Sequence, residues 1–276
     1  MTHLSTTRAP STTSPPSRAA RAAWAAWAAW AGATAFEWTK LASVRSTRWI
    51  LGCAVLVSLG GSWLLGASAL ASGRNGHDTA TPAPEIAAQT LLVSQVAVVV
   101  IAALAICGEY ATGSIVTSLQ SVPVRGRLLA AKALTVAGVS AVAGAVFVVL
   151  GTPVAELSAE EFGTFTGAEF RNAATGAALG MALLSLLVLG LGTALRNAAA
   201  TIVSTLAILQ VLSAVLPLFD NEAINGLADH LPNEALTVLV THPAEPYTWP
   251  VAVLTLAGWA AAGLTAGYAV LRARDA

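Results

Sequence analysis

Six stretches of the chain contain no Asp, Glu, Lys or Arg. Each is longer than the roughly 20 residues with which an α-helix crosses the ~30 Å hydrocarbon core of a bilayer. Because that core has no water to satisfy the backbone, segments of this length and composition must be helices. The sequence therefore predicts an all-α polytopic membrane protein with six transmembrane helices, at residues 49–71, 87–108, 133–154, 173–195, 198–219 and 249–271 of a transmembrane domain spanning 49–272.

The composition agrees with a membrane protein. Hydrophobic residues make up 56% of the chain and charged residues only 10%, whereas a soluble domain has about 25% charged residues. The net charge of zero carries no information, since what matters is where the charges lie.

The basic residues predict an orientation. If the N-terminus is cytoplasmic and the chain crosses six times, 12 of the 14 Lys and Arg residues lie inside, and only Arg74 and Arg171 lie outside. Lys and Arg near the ends of spans set the orientation of a membrane protein. We therefore expect both termini in the cytoplasm and a multi-pass protein of the cell inner (cytoplasmic) membrane.

The segment before the first span divides in two. Residues 1–18 are rich in Ser, Thr and Pro and lack the apolar surface to fold, so we expect a disordered cytoplasmic tail. Residues 19–48 favour a helix through their alanines, and their tryptophans suit the headgroup level of a membrane, which predicts an amphipathic interfacial helix. A signal peptide ending at Ala33-Thr34-Ala35 remains an alternative.

The last part of this interfacial helix has two faces. They are Trp38, Leu41, Val44 and Arg45 on one side, and Glu37, Lys40 and Arg48 largely on the other. This pattern predicts a helix that lies along the membrane before the first span.

Several classes of function are disfavoured by missing motifs. The predicted spans carry none of the ionisable groups that ion-driven transporters usually keep there. The sequence has no Walker A motif for ATP and no zinc-protease or nucleophile-elbow motif. We therefore expect neither an enzyme nor a bound metal or cofactor, and no nucleic-acid partner; any ATP would be bound by a partner subunit.

The cytoplasmic loop at residues 109–132 contains a short amphipathic pattern. Ile115, Leu119 and Val122 recur at helical spacing among polar residues, and Pro123 ends the pattern. A short helix of this kind between two spans can dock in the groove of a partner.

Two blocks of the sequence, and the residues that follow the second, form a recognisable pattern. They are Glu37-Trp38-Thr39-Lys40-Leu41 with Ser43 to Trp49, then Gly108-Glu109-Tyr110-Ala111-Thr112-Gly113-Ser114-Ile115, followed by Leu119, Pro123, Arg125, Arg127 and Lys132. Through these residues the sequence resembles the ABC-2 type permeases of high-GC bacteria, which are the membrane subunits of ATP-binding-cassette exporters.

The resemblance implies a permease that pairs as a homodimer or heterodimer, with an ABC ATPase subunit beneath each half. Residues before Trp49 would form a connecting helix, with Trp38, Lys40, Arg45 and Arg48 as its candidate site residues. Coupling to the ATPase would involve Glu109, Gly113, Ile115, Leu119, Val122, Pro123, Arg125 and Arg127.

Two of these roles have alternatives. Glu109 could pair with Arg45 or Arg48, or cap the coupling helix, but it could also be a solvated carboxylate at a helix end. Arg125 and Arg127 are favoured as topology anchors and contacts for anionic lipid of the bilayer, ahead of direct contact with the ATPase.

The substrate path is less clear from the sequence. Family members are taken to place spans two and five along it, where this chain has Gln95 and Gln210. Hydrogen bonding between helices is the commoner role for such amides.

We also expect the outer loop at residues 220–248 to fold back onto the membrane surface, in two pieces at most.

Small residues predict close helix packing. The pairs Gly176 and Gly180, and Gly263 and Gly267, have the Gly-x-x-x-Gly spacing that lets two helices approach closely. Because each helix has neighbours within its own chain, we expect these pairs to serve packing within the chain rather than in a dimer.

The interpretation as an ABC-2 permease has one main alternative. The chain could instead be a membrane interaction or immunity protein without transport activity.

Overall fold

A computed structural model describes residues 17–77, 80–121, 124–219, 221–241 and 246–273. Within these ranges the protein is almost entirely helical and has no β-strand. The α-helices are α1 Arg18–Ser43, α2 Arg45–Arg74, α3 Ala83–Gln89, α4 Leu91–Thr112, α5 Ser114–Ser121, α6 Arg125–Ala159, α7 Gly167–Leu195, α8 Ala198–Leu206, α9 Ser213–Val215, α10 Glu222–Asp229, α11 Pro232–Thr241 and α12 Trp249–Ala273. The predicted tail at 1–18 falls almost wholly outside the described residues.

Six helical runs are long and apolar enough to cross a membrane, which confirms the predicted all-α class with six candidate spans. Four of them are α2, α4, α7 and α12. The third run joins α6 to a 3-10 turn at Glu160–Gly163, and the fifth, Ala198–Leu218, joins α8 and α9 through a π-helical turn at Ala207–Leu212.

The helix ends differ from the predicted bounds. α6 begins at Arg125 and α2 at Arg45, because a helix can continue through charged residues that mark the end of an apolar window. The second span begins only at Leu91, since residues 83–89 form the separate helix α3. Charge-free windows therefore locate spans but do not set where their helices end.

The predicted interfacial helix is also shorter than the window at 19–48. Val44 has an extended backbone, with φ −77° and ψ 114°, and separates α1 from α2. Arg45 and Arg48 consequently lie in the exposed first turn of the first span, and α1 carries only Trp38 and Lys40 of the predicted connecting-helix residues.

The helix α7 lies at the centre of the bundle and packs against α4, α6, α11 and α12. Its contact with α12 depends on glycine, because a methyl group added at Gly190 would collide with the Gly263 backbone, and one at Gly267 would meet the Gly190 carbonyl. Gly176 and Gly180 instead contact α11, at the Leu239 backbone and the Leu236 side chain. The two predicted pairs, Gly176 with Gly180 and Gly263 with Gly267, therefore allow close packing of helices within this chain.

Two short helices, α3 and α11, pack into the end of the bundle where α4 begins. α11 buries seven of its residues, among them Leu236 and Leu239, and α3 buries five. Of the described part of the loop at 220–248, α11 therefore packs into the bundle, whereas α10 is largely exposed. The helix α10 ends at Asp229, and Pro232 opens α11, because proline fits the first turn of a helix but not its interior.

Candidate functional site

Two lysines and two glutamates meet at the end of the bundle where most of the basic residues lie. Lys132 of α6 donates to Glu37 Oε2 of α1, and to Glu109 Oε1 of α4 at 2.7 Å. Lys40 of α1 donates to the same Glu109 oxygen and, at 3.1 Å, to the hydroxyl of Ser118 in α5. This ionic cluster, formed by Glu37, Lys40, Glu109, Lys132 and Ser118, joins four helices.

The ionic cluster is buried. Glu37, Lys132 and Ser118 are each 2% exposed and Glu109 is 6% exposed, whereas Lys40 reaches the surface. The positive charges of the two lysines balance the negative charges of the two glutamates. Buried charges must be paired in this way, because an unpaired charge in an apolar interior costs several kcal/mol. Removing one of the four charged members would therefore leave an uncompensated charge among the others.

The helix α1 turns its charged side toward the bundle. Ala33, Glu37 and Lys40 recur at i, i+4 and i+7, and the first two are buried, while Trp38 is 57% exposed. The charged face identified in the sequence is therefore the protein-facing one. The physical reason is that α6 and α4 supply Lys132 and Glu109, so the charges of α1 find partners inside.

The junction of α4 and α5 follows from one glycine. Gly113 ends α4 with φ 71°, a left-handed conformation that glycine adopts without steric cost. The chain turns there, and α5 starts at once. Ile115 then packs into a cluster with Ile106, Cys107 and Leu128, which holds the helix against its own bundle.

This packing decides which side of α5 faces outward. The sequence pattern predicts Ile115 on a partner-docking face, but in the structure its side chain is only 4% exposed. The exposed residues of the helix are Val116, Thr117, Gln120 and Ser121. Val122, Pro123 and the side chain of Leu119 lie outside the described residues.

Glu109 pairs with different cations from those considered in the sequence. Its partners are Lys40 and Lys132 rather than Arg45 or Arg48, because those arginines begin α2 and are exposed. Its side chain is buried, so the alternative of a solvated carboxylate does not hold.

Arg125 and Arg127, both in the first turn of α6, have different surroundings. Arg125 donates from Nη1 to the Leu271 carbonyl at 2.5 Å, which ties the start of α6 to the last turn of α12. Arg127, two residues on, is half-buried. A neighbouring arginine, Arg196, stacks over the Tyr110 ring at 5.0 Å.

A cavity of about 210 Å³ lies beside the ionic cluster, between α1, α2 and α4. Glu37, Lys40, Glu109 and Lys132 line its polar side, and residues such as Leu41, Ile50 and Leu104 line the rest. Glu37 Oε1 and Glu109 Oε2 are buried without a hydrogen bond among the described residues. Each of the two glutamates that line the cavity therefore has one carboxylate oxygen that can accept a further hydrogen bond.

The two glutamines meet near the opposite end of α4. The side-chain amides of Gln95 and Gln210 both donate to the Leu92 carbonyl, at 3.2 and 2.7 Å. Gln95 also donates to Asn233 Oδ1 of α11 at 3.2 Å. Both amides thus bond one helix to another, which is the packing role weighed from the sequence.

Sequence reasoning missed three members of the ionic cluster as site residues: Glu37, Lys132 and Ser118. A signal for the first was present, because Glu37 lies on the charged face of the predicted interfacial helix and precedes Lys40 by three residues. No signal of this kind marks Ser118, whose role depends on how α5 folds back.

Among the described residues, no group of three or more His, Cys, Asp or Glu side chains could hold a metal ion. In comparisons with known proteins, no protein-family model matches the chain and no curated protein matches its sequence.

Proposed function

We propose that this chain is the membrane-spanning permease subunit of an ABC-2 type exporter, coupled to a separate ATPase through α5. The observation that carries the proposal is the ionic cluster, which links the short helix α5 to α1 and to two candidate spans, α4 and α6. The sequence resemblance, with its Glu109, Gly113 and Lys132, supports the same assignment.

The geometry supports transmission of movement from α5 to the spans. Gly113 connects α5 directly to α4, Ser118 bonds to Lys40, and Lys132 belongs to α6. Because separating buried opposite charges costs several kcal/mol, these helices would move together. A push on α5 would then reach α4 and α6 at once.

The outward side of α5 is where the ATPase subunit would bind. Val116 is 45% exposed, and Thr117 and Gln120 are exposed beside it. An eight-residue helix held by Ile115 on one side and free on the other fits a groove-binding mode. In this proposal the ATPase binds ATP, and the permease itself is not an enzyme and holds no cofactor.

The proposal includes a second permease copy and the inner membrane as location. α2 and the fifth span expose large apolar side chains, among them Leu56, Leu64 and Val203. These faces are available to lipid or to a second permease, as a homodimer or a heterodimer. The hydrogen bonds of Gln95 and Gln210 favour packing over cargo binding for both side chains.

Affinity purification from the native membrane in mild detergent tests the proposal. We expect a stoichiometric ABC ATPase to copurify with the tagged chain, detected by mass spectrometry and an ATPase assay. Val116→Asp should sharply reduce its recovery, because it places a charge on the docking surface of α5.

Leu195→Asp is the matched control. Leu195 is 43% exposed, ends α7 outside the lining of the cavity beside the ionic cluster, and gains the same charge, so this change should leave recovery of the ATPase unchanged. Recovery of no ATPase, or equal losses for both variants, would overturn the permease proposal and favour the non-transporting interaction or immunity protein.

A further inference from the structure

An open groove of about 700 Å³ runs between α6 and α12, over α7. The two helices both pack on α7 but have little contact with each other. The walls of the groove are Leu129, Ala133, Leu134 and Ala137 of α6 and Leu264 of α12, with Leu186 of α7 between them. Its volume falls within the range of about 300–1,000 Å³ that is usual for ligand sites.

One end of the groove is basic and polar. Arg272 and Tyr268 line it there, with the Arg272 guanidinium 5.9 Å from the centre of the Tyr268 ring. Arg125 bonds to the Leu271 carbonyl, so the first turn of α6 lies beside the last turn of α12. The groove therefore has apolar walls along two spans and positive charge at the end where those helices meet.

We propose that this groove binds an anionic phospholipid, with an acyl chain along α6 and α12 and the headgroup at Arg272. The inference goes beyond the transport proposal and does not depend on an ATPase. Both helices are candidate membrane spans, so an acyl chain can enter the groove from the side. Basic residues at the cytoplasmic ends of spans attract anionic headgroups.

The charge argues against a second copy of the chain as the occupant. A symmetric partner would bring its own Arg272 and Arg125 toward the same end, and like charges in one interface are unfavourable. The small side chains of Ala130, Ala133 and Ala137 recur along the groove side of α6 and leave room there for an acyl chain.

Native mass spectrometry of the full-length protein in mild detergent tests the proposal. The probes are phosphatidylglycerol and phosphatidylcholine with the same acyl chains. The wild type should retain phosphatidylglycerol at lower concentration than phosphatidylcholine. Arg272→Gln should weaken phosphatidylglycerol binding about fivefold, the effect of one basic residue near a membrane surface, while Arg171→Gln, which removes the same charge from an exposed site at the other end of the bundle, should not.

A second variant tests the groove itself. Ala137→Trp should displace both lipids by filling the recess, whereas Val142→Trp, an exposed site on α6 outside the groove, should not. Equal retention of the two lipids by the wild type, or unchanged binding in Ala137→Trp, would overturn the proposal. So would a dimer that dissociates in Ala137→Trp without any change in lipid retention.

Discussion

Lys132 is the residue on which the ionic cluster depends most. Its ammonium group bridges Glu37 and Glu109, and its side chain is 2% exposed. No other described cation contacts both carboxylates within hydrogen-bonding distance, because Lys40 lies 3.7 Å from Glu37. The balance of charge inside the bundle therefore rests on this one side chain.

We predict that Lys132→Met lowers the free energy of unfolding by about 3–5 kcal/mol, as breaking a buried ion pair does. Changing Glu37→Gln together with Lys132→Met should recover most of the loss, because the remaining Lys40 and Glu109 balance each other. Thermal unfolding of the purified protein in detergent measures both effects.

The exposed pair of Arg74 with Glu160, 2.9 Å apart, provides the comparison. Arg74→Gln should cost no more than about 1 kcal/mol, because water already solvates both side chains. If Lys132→Met is as mild as Arg74→Gln, the buried ionic cluster is not a stabilising unit.

At the scale of elements, α10 and α11, which lie outside the candidate spans, carry a second group of charged residues that includes Asp229 and Glu234. Burial, and next the Asp229 carboxylate, raise the pKa of Glu234 above its ordinary value of 4.5. Tyr247 donates to the Asp229 carbonyl at 2.7 Å, and burial raises its pKa to about 12. Tyr247 therefore stays protonated at any physiological pH, and Glu234 is the group that responds.

We predict that α11 is more stable in acid than at neutral pH. A carboxyl group whose pKa is raised by folding contributes stability that is fully present below its ordinary value and is lost as the pH rises through the raised value. Amide hydrogen exchange in α11, corrected for intrinsic rates, should therefore be slower at pH 4.5 than at pH 8.

Two variants check the origin of this effect. Glu234→Gln should weaken the pH dependence, since Glu85 of the neighbouring α3 also has a raised pKa through burial. Glu222→Gln, an exposed change in the first turn of α10, should leave the pH dependence in place. A wild-type α11 with equal protection at both pH values would contradict the assignment.

At the scale of the whole molecule, most of the described basic residues gather at one end of the bundle, with Arg74 and Arg171 at the other. Arg125, Arg196 and Arg272 lie at the basic end, near the termini of α6, α7 and α12. Acidic residues such as Glu85, Glu169 and Glu234 belong to the opposite end, with α3 and α11. This separation of charge predicts which end faces the cytoplasm.

Cysteine labelling tests that orientation in intact cells, in a background without Cys53 and Cys107. Thr164→Cys, between α6 and α7, should react with a membrane-impermeant maleimide from outside. Ser121→Cys, at the end of α5, should react only after permeabilisation. Both sites are exposed, so the reverse pattern would show that the positive end is external.

The sequence by itself determined the six apolar helices and the placement of charge between them, because a bilayer imposes length and polarity on each helix separately. It also indicated Glu109 and the glycine pairs, which have local signatures. The ionic cluster was decided only by tertiary structure, since Glu37 and Lys132 are far apart in the chain and α1 could have turned either face inward. The burial of α11 and the inward side of Ile115 were decided in the same way, by which neighbouring helix supplied a complementary surface.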